Sequence, residues 1–76
     1  MTKMNIRLST IEDIRTFVST VIGFDFDIDL CSGRYVIDAK SIMGIFSLDL
    51  ASPIELVAHT DDTAALTEKL ARFVVK

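Results

Sequence analysis

The most regular stretch of the chain is Phe24-Asp25-Phe26-Asp27-Ile28-Asp29-Leu30, which alternates apolar and acidic side chains without a break. A period of two puts the apolar set on one face of an extended strand and Asp25, Asp27 and Asp29 on the other. It predicts a strand with one dry and one wet face, as antiparallel sheets commonly have. Ser32-Gly33 follows as a hairpin signal, and Tyr35-Val36-Ile37 supplies the returning strand. Upstream, Asn5 to Leu8 alternates more weakly and predicts a short first strand. Ser9 or Thr10 then reads as a helix N-cap. Ser9 and Glu12 have the spacing of a capping box, and Asp13 adds a second first-turn carboxylate. Ile11, Ile14, Val18, Val21 and Ile22 recur at helical spacing, and Gly23 is a stop signal.

Downstream, Ser41 to Phe46 predicts a short helix that Gly44 weakens. Pro53 marks the entry to a last strand over Ile54–His59. Asp61 or Asp62 can cap a final helix with an apolar stripe of Ala65, Leu66, Leu70, Phe73 and Val74. The order is β-α-β-β-α-β-α. It predicts a single α+β domain over residues 1–76, with a four-stranded, mostly antiparallel sheet covered on one face by three helices.

Composition narrows the function. Net charge is −3, and the basic residues are scattered, which argues against nucleic acid as a partner. The longest apolar run is three residues, too short for a membrane span, and Met1 to Ser9 lacks the apolar core of a secretory signal. Cys31 is the only cysteine, so neither an internal disulfide nor a zinc site is expected, and a reducing cytoplasm is the natural setting. No nucleophile–base pair, glycine-rich phosphate loop or metal cluster stands out, so the chain is not expected to be an enzyme or to hold a metal or cofactor. Asp25, Asp27 and Asp29 on one strand would lie about 6.5–7 Å apart, too far for one cation to touch all of them, and read as a solvated face.

Lys40-Ser41-Ile42-Met43-Gly44 resembles the regulatory-serine motif of the HPr proteins, the small phosphocarriers of the bacterial phosphoenolpyruvate:sugar phosphotransferase system. Phe24-Asp25, Asp27-Ile28 and Leu30 resemble that family's second strand, and the element order is similar to its open-faced β-sandwich. The resemblance spans Met4 to the last helix. It implies that a histidine at the start of the first helix takes the phosphoryl group, with an arginine two residues later and a proline next. Counting back from Phe24 puts Thr10 at the histidine position, Glu12 at the arginine and Asp13 at the proline.

Threonine has no imidazole nitrogen, and a phosphothreonine ester is not a high-energy donor. Two like unit charges about 6 Å apart at an effective dielectric of about 20 repel by about 3 kcal/mol, more than the ~0.3–1 kcal/mol a helix dipole offers. Phosphate is therefore not expected to sit beside Glu12 and Asp13. His59, the only histidine, is expected to be a solvated strand end with carboxylates close by.

What remains is Ser41, at the start of the short helix, where the resemblance implies regulatory phosphorylation; the competing reading is a plain N-cap. Lys40, Ile42, Met43 and Phe46 around it are candidates for docking partner proteins. For Ile42 and Met43 docking and core roles are both open, and Phe46 is expected to be partly buried. The expected function is an HPr-like protein-binding or regulatory module that carries no phosphate on histidine and is switched at Ser41. The alternative is a phosphocarrier in sugar transport that uses a non-standard site. Partners would be proteins, either phosphotransferase components or a transcription regulator, with no role for membrane.

Overall fold

In a computed structural model, described over residues 1–75, the expected architecture is present. Strands β1 (Thr2–Ile6), β2 (Ile28–Ser32), β3 (Tyr35–Asp38) and β4 (Ile54–Ala58) alternate with helices α1 (Ile11–Ile22), α2 (Ile42–Phe46) and α3 (Thr63–Leu70), and a 3-10 turn follows over Ala71–Phe73. The sheet order is β1-β4-β2-β3, and every pairing is antiparallel. Residues directly opposite one another share a face. Met4, Leu56, Leu30 and Ile37 thus form one row under the helices, while Lys3, Val57, Asp29 and Asp38 form a row on the open face. The core fills the space between the covered face and the helices, with Ile6, Leu8, Phe17, Leu30, Leu56 and Leu70 all fully buried.

The sequence and structure part at several element ends. The alternation from Phe24 does not make one long strand: β2 begins only at Ile28. Strand geometry needs a bonded neighbour, and β4 ends at Ala58, opposite Ile28. Phe24 and Phe26 instead stack on each other, centroids 5.0 Å apart, and cover the edge of the core. Of the three aspartates, only Asp29 lies on the open face of the sheet; Asp25 and Asp27 sit exposed in the bend before it.

β1 starts earlier than the sequence suggests, at Thr2. The Thr2 hydroxyl donates to the Thr60 carbonyl, which lets a polar residue take a buried inward position. In α1 the buried stripe is Ile14, Phe17, Val18 and Val21, and Ile11 and Ile22 are exposed. At 100° per residue these two isoleucines lie on the flanks of a stripe centred near Ile14, Phe17 and Val21. The last helix stops at Leu70. Phe73 packs edge-on against Phe17, centroids 5.6 Å apart, and Val74 leaves the helical path to bridge Ile6.

The β2–β3 hairpin closes through Gly33-Arg34, with Gly33 at φ 59°. A positive φ at the first central residue alone is what a type II′ turn requires, and it matches the twist of the strands. A Cβ added at Gly33 would meet nothing within 4 Å, so substitution there costs backbone strain alone. Gly33→Ala is expected to lose about 1–2 kcal/mol, read as a lower urea midpoint with unchanged m value. A loss below about 0.3 kcal/mol would mean that the turn readily adopts another type.

Candidate functional site

The entrance to α1 is built by a reciprocal cap. Thr10 is the N-cap residue: its Oγ1 accepts the Asp13 N–H at 3.1 Å, while Asp13 Oδ2 accepts the Ser9 N–H at 3.1 Å. The capping pair is therefore Thr10 with Asp13, not Ser9 with Glu12. Both pairs have the i, i+3 spacing; the helix begins at Ile11, which makes Thr10 the N-cap and puts Asp13 at its third position. Arg72, brought in by the 3-10 turn, places its guanidinium 3.9 Å from Asp13 Oδ1. It offsets part of the Asp13 charge, so the field at the helix start is less repulsive than the sequence alone suggests. Glu12 projects into solvent without an ion pair among the described residues.

The second element of this end is α2. Ser41 is its exposed N-cap, with Oγ accepting the Gly44 N–H at 3.3 Å. Gly44 packs closely on β3: a Cβ there would come within 3.4 Å of the Ile37 side chain. The tightest approach would be to the capping Ser41 Oγ, at 3.3 Å, so a side chain at position 44 would press on the N-cap while meeting Ile37 in ordinary contact. Arg7, in the β1–α1 loop, donates to the Ala51 carbonyl at 3.0 Å, so the segment leaving α2 reaches back to the entrance of α1.

The residues singled out in the sequence divide sharply. Ile42 is half-buried and packs against the core. The Lys40 ammonium is half-buried and donates to the Phe24 carbonyl at 3.0 Å, which ties it to the α1–β2 bend. Met43 is 76% exposed and Phe46 45% exposed. Phe46 is more open than expected, because it follows Ile45 by about 100° around the helix and Ile45 takes the buried place. Ile11, at the start of α1, is 61% exposed. Sequence pattern assigned it to the core; the signal that could have separated it is Phe17, which centres the stripe away from Ile11.

His59 lies at the other end of β4 from Thr10. Its Nε2 is 2.9 Å from Asp29 Oδ2, and its backbone N–H bonds the Asp27 carbonyl. The ring faces the Asp29 carboxylate, with no guanidinium or ammonium bonded to it among the described residues. A concavity of about 640 Å³ lies between the 33–34 turn and the 47–53 loop, with Arg34, Tyr35, Asp49 and Glu55 in its lining. It contains Cys31 but neither Thr10 nor His59.

An open-faced antiparallel sheet in the order β1-β4-β2-β3, with helices on one side and exposed apolar residues on α1 and α2, defines a small α+β sandwich of the phosphocarrier type. Comparison with known proteins gives the family. The model described as "PTS HPr component phosphorylation site" matches residues 13–76, so the chain belongs to the PTS HPr family. The match begins just past Thr10 and Glu12. An HPr structure from Thermoanaerobacter tengcongensis ("HPr-C-His") superposes with a TM-score of 0.78 at 28% identity, covering 95% of this chain and 89% of that one. The phosphocarrier protein HPr of Bacillus anthracis superposes with a TM-score of 0.71 at 28% identity, covering 95% and 93%. No curated protein sequence matches. The family is one of phosphate carriers that work with other proteins of the phosphotransferase system, not of enzymes. No helix among the described residues is long and apolar enough to cross a membrane.

Proposed function

We propose that this chain is an HPr-type docking module of the cytoplasm that binds protein partners without carrying phosphate on a histidine. The observation that carries this reading is the exposure of Met43 and Phe46 on α2 with Ile11 on α1, in a family whose members work by contact with other proteins. Met and Phe are flexible or broad apolar side chains, suited to fill a partner's pocket, and leaving them in water costs free energy that docking recovers. Ser41 stands two residues from Met43. A phosphate on it would add about −1.5 to −2 charges beside an apolar contact, which is a direct way to weaken docking. Lys40, held by the Phe24 carbonyl, would not neutralise that phosphate without giving up its bond.

Binding to the purified first enzyme of the phosphotransferase system and to the serine kinase of the family, measured by calorimetry, tests the reading. Met43→Asp is expected to weaken whichever complex forms by at least tenfold, because it desolvates a carboxylate at the contact. The fold should be unaffected, since Met43 is solvent-exposed. Failure of both proteins to bind, or equal affinity of wild type and Met43→Asp, would overturn it.

A further inference from the structure

The two edges of the sheet differ. Along β1 the edge is occupied: Arg7 N–H donates to the Phe73 carbonyl, Val75 N–H donates to the Asn5 carbonyl, and Ile6 bridges Val74. Along β3 no strand among the described residues lies outside Tyr35–Asp38. The Ala39 N–H bonds the Ile28 carbonyl at 2.9 Å. Backbone groups alternate in direction along a strand, so Tyr35 and Ile37 point theirs at β2, and Val36 and Asp38 point theirs outward; the Asp38 carbonyl is taken by the Ser41 N–H at 3.0 Å, which leaves the Val36 N–H and C=O and the Asp38 N–H for a neighbour. The side chains on this edge are open as well, Tyr35 at 68% and Val36 at 65%. An exposed edge with apolar side chains invites another strand.

The charges along the edge identify the occupant. Arg34-Tyr35-Val36-Ile37-Asp38 has a cation at one end, an anion at the other and Val36 at its centre. Turned about a two-fold axis through Val36, the segment is its own complement: Arg34 faces Asp38 of the second copy, Tyr35 faces Ile37, and Val36 faces Val36. That axis keeps the open face and the helix-covered face of both sheets on the same sides, as a continuous sheet requires. It also sets two outward-facing Val36 backbones opposite each other, able to exchange both bonds. Centring on Ile37 would oppose Arg34 to Lys40, and centring on Tyr35 would leave both charges unanswered. Arg34 makes no ion pair or side-chain hydrogen bond among the described residues, and Asp38 uses only Oδ1, on the Lys40 N–H, leaving Oδ2 for a guanidinium. The bareness of Tyr35 shows that α2 leaves that half of β3 uncovered, which is where α2 of the second copy would come.

We propose that this chain self-associates through the free edge of β3, pairing antiparallel with a second copy about Val36 into one eight-stranded sheet. The contact is isologous and uses up the edge, so it closes at two subunits. It does not depend on the docking role assigned to Met43 and Phe46.

Sedimentation equilibrium of the full chain from about 10 µM to about 1 mM tests the proposal. The mass is expected to rise from 8.4 kDa toward twice that value with concentration. Val36→Pro should abolish the rise while leaving the thermal melt nearly unchanged, because the N–H it removes points away from β2. Arg34→Asp should raise the dissociation constant at least tenfold, and adding Asp38→Arg should bring it back to within about threefold. A chain that stays monomeric throughout overturns the proposal. So does a dimer that Val36→Pro and Arg34→Asp leave intact, or one that the charge swap fails to restore.

Discussion

Incubated with phosphoenolpyruvate and the first enzyme of the phosphotransferase system, the wild-type chain is expected to gain no acid-labile, base-stable phosphate, whereas Thr10→His is expected to gain some. The difference is one of chemistry before electrostatics. An imidazole nitrogen both attacks phosphorus and leaves it readily; a threonine hydroxyl forms an ester that holds its phosphate. Position 10 is where such an imidazole would meet the start of α1, and helix N-termini favour anions. The charges there modulate the outcome. Asp13 is answered by Arg72 and the Ser9 N–H, but Glu12 is not paired among the described residues. At about 6 Å and an effective dielectric of about 20 its repulsion of a phosphoryl group is up to about 3 kcal/mol, so adding Glu12→Arg to Thr10→His should raise the rate of labelling by about tenfold or more. The label should be lost on brief acid treatment and survive base. Acid-labile labelling of the wild type, removed by His59→Ala, would establish the alternative of a carrier with a non-standard site.

Phe17→Ala is expected to cost about 3–5 kcal/mol, the usual range for removing a buried phenyl ring. A chain of this length has about 4–11 kcal/mol in total at the typical ~0.05–0.15 kcal/mol per residue, so the variant should lose about a third or more of its stability and melt well below the wild type. The loss is at the upper end because Phe17 also holds Phe73 edge-on, and the Phe73 carbonyl in turn receives the Arg7 N–H. Loosening that ring releases the segment that occupies the β1 edge. Urea unfolding followed by far-UV circular dichroism measures the effect. A shift worth less than about 1 kcal/mol would mean the Phe17 site collapses around the cavity and that Phe73 holds without it.

Element order was legible in the sequence because each element has its own signal: Gly33 for the hairpin, Asp62 for the last helix, Pro53 ahead of β4. Family membership was legible in Lys40-Ser41-Ile42-Met43-Gly44. Element ends were less so, for identifiable reasons. Hydrophobic period says which residues share a face, but not how far a neighbouring strand extends, and β2 is cut to the length of its partners. Thr2 looks polar in the sequence and is buried because the Thr60 carbonyl satisfies it. Ile11 and Ile22 look like core and are not, because a helix lying on a sheet buries only a narrow stripe. The electrostatics of the α1 entrance depend on Arg72, distant in sequence from Asp13 and brought beside it only by the turn after α3. Lys40 was grouped with its neighbours as a docking residue, and its bond to the Phe24 carbonyl, sixteen residues back in the chain, was not legible in the sequence.

The strand order carries a kinetic consequence. β1 is made first, yet its neighbour in the sheet is β4, about fifty residues away, and its outer edge waits for Phe73–Val75. Every contact that fixes β1 must close a long loop, so folding should be slow for so small a domain. On the ribosome the first strand leaves the tunnel with nothing to bond to, and its place in the sheet can be filled only once β4 and Phe73–Val75 have followed it out.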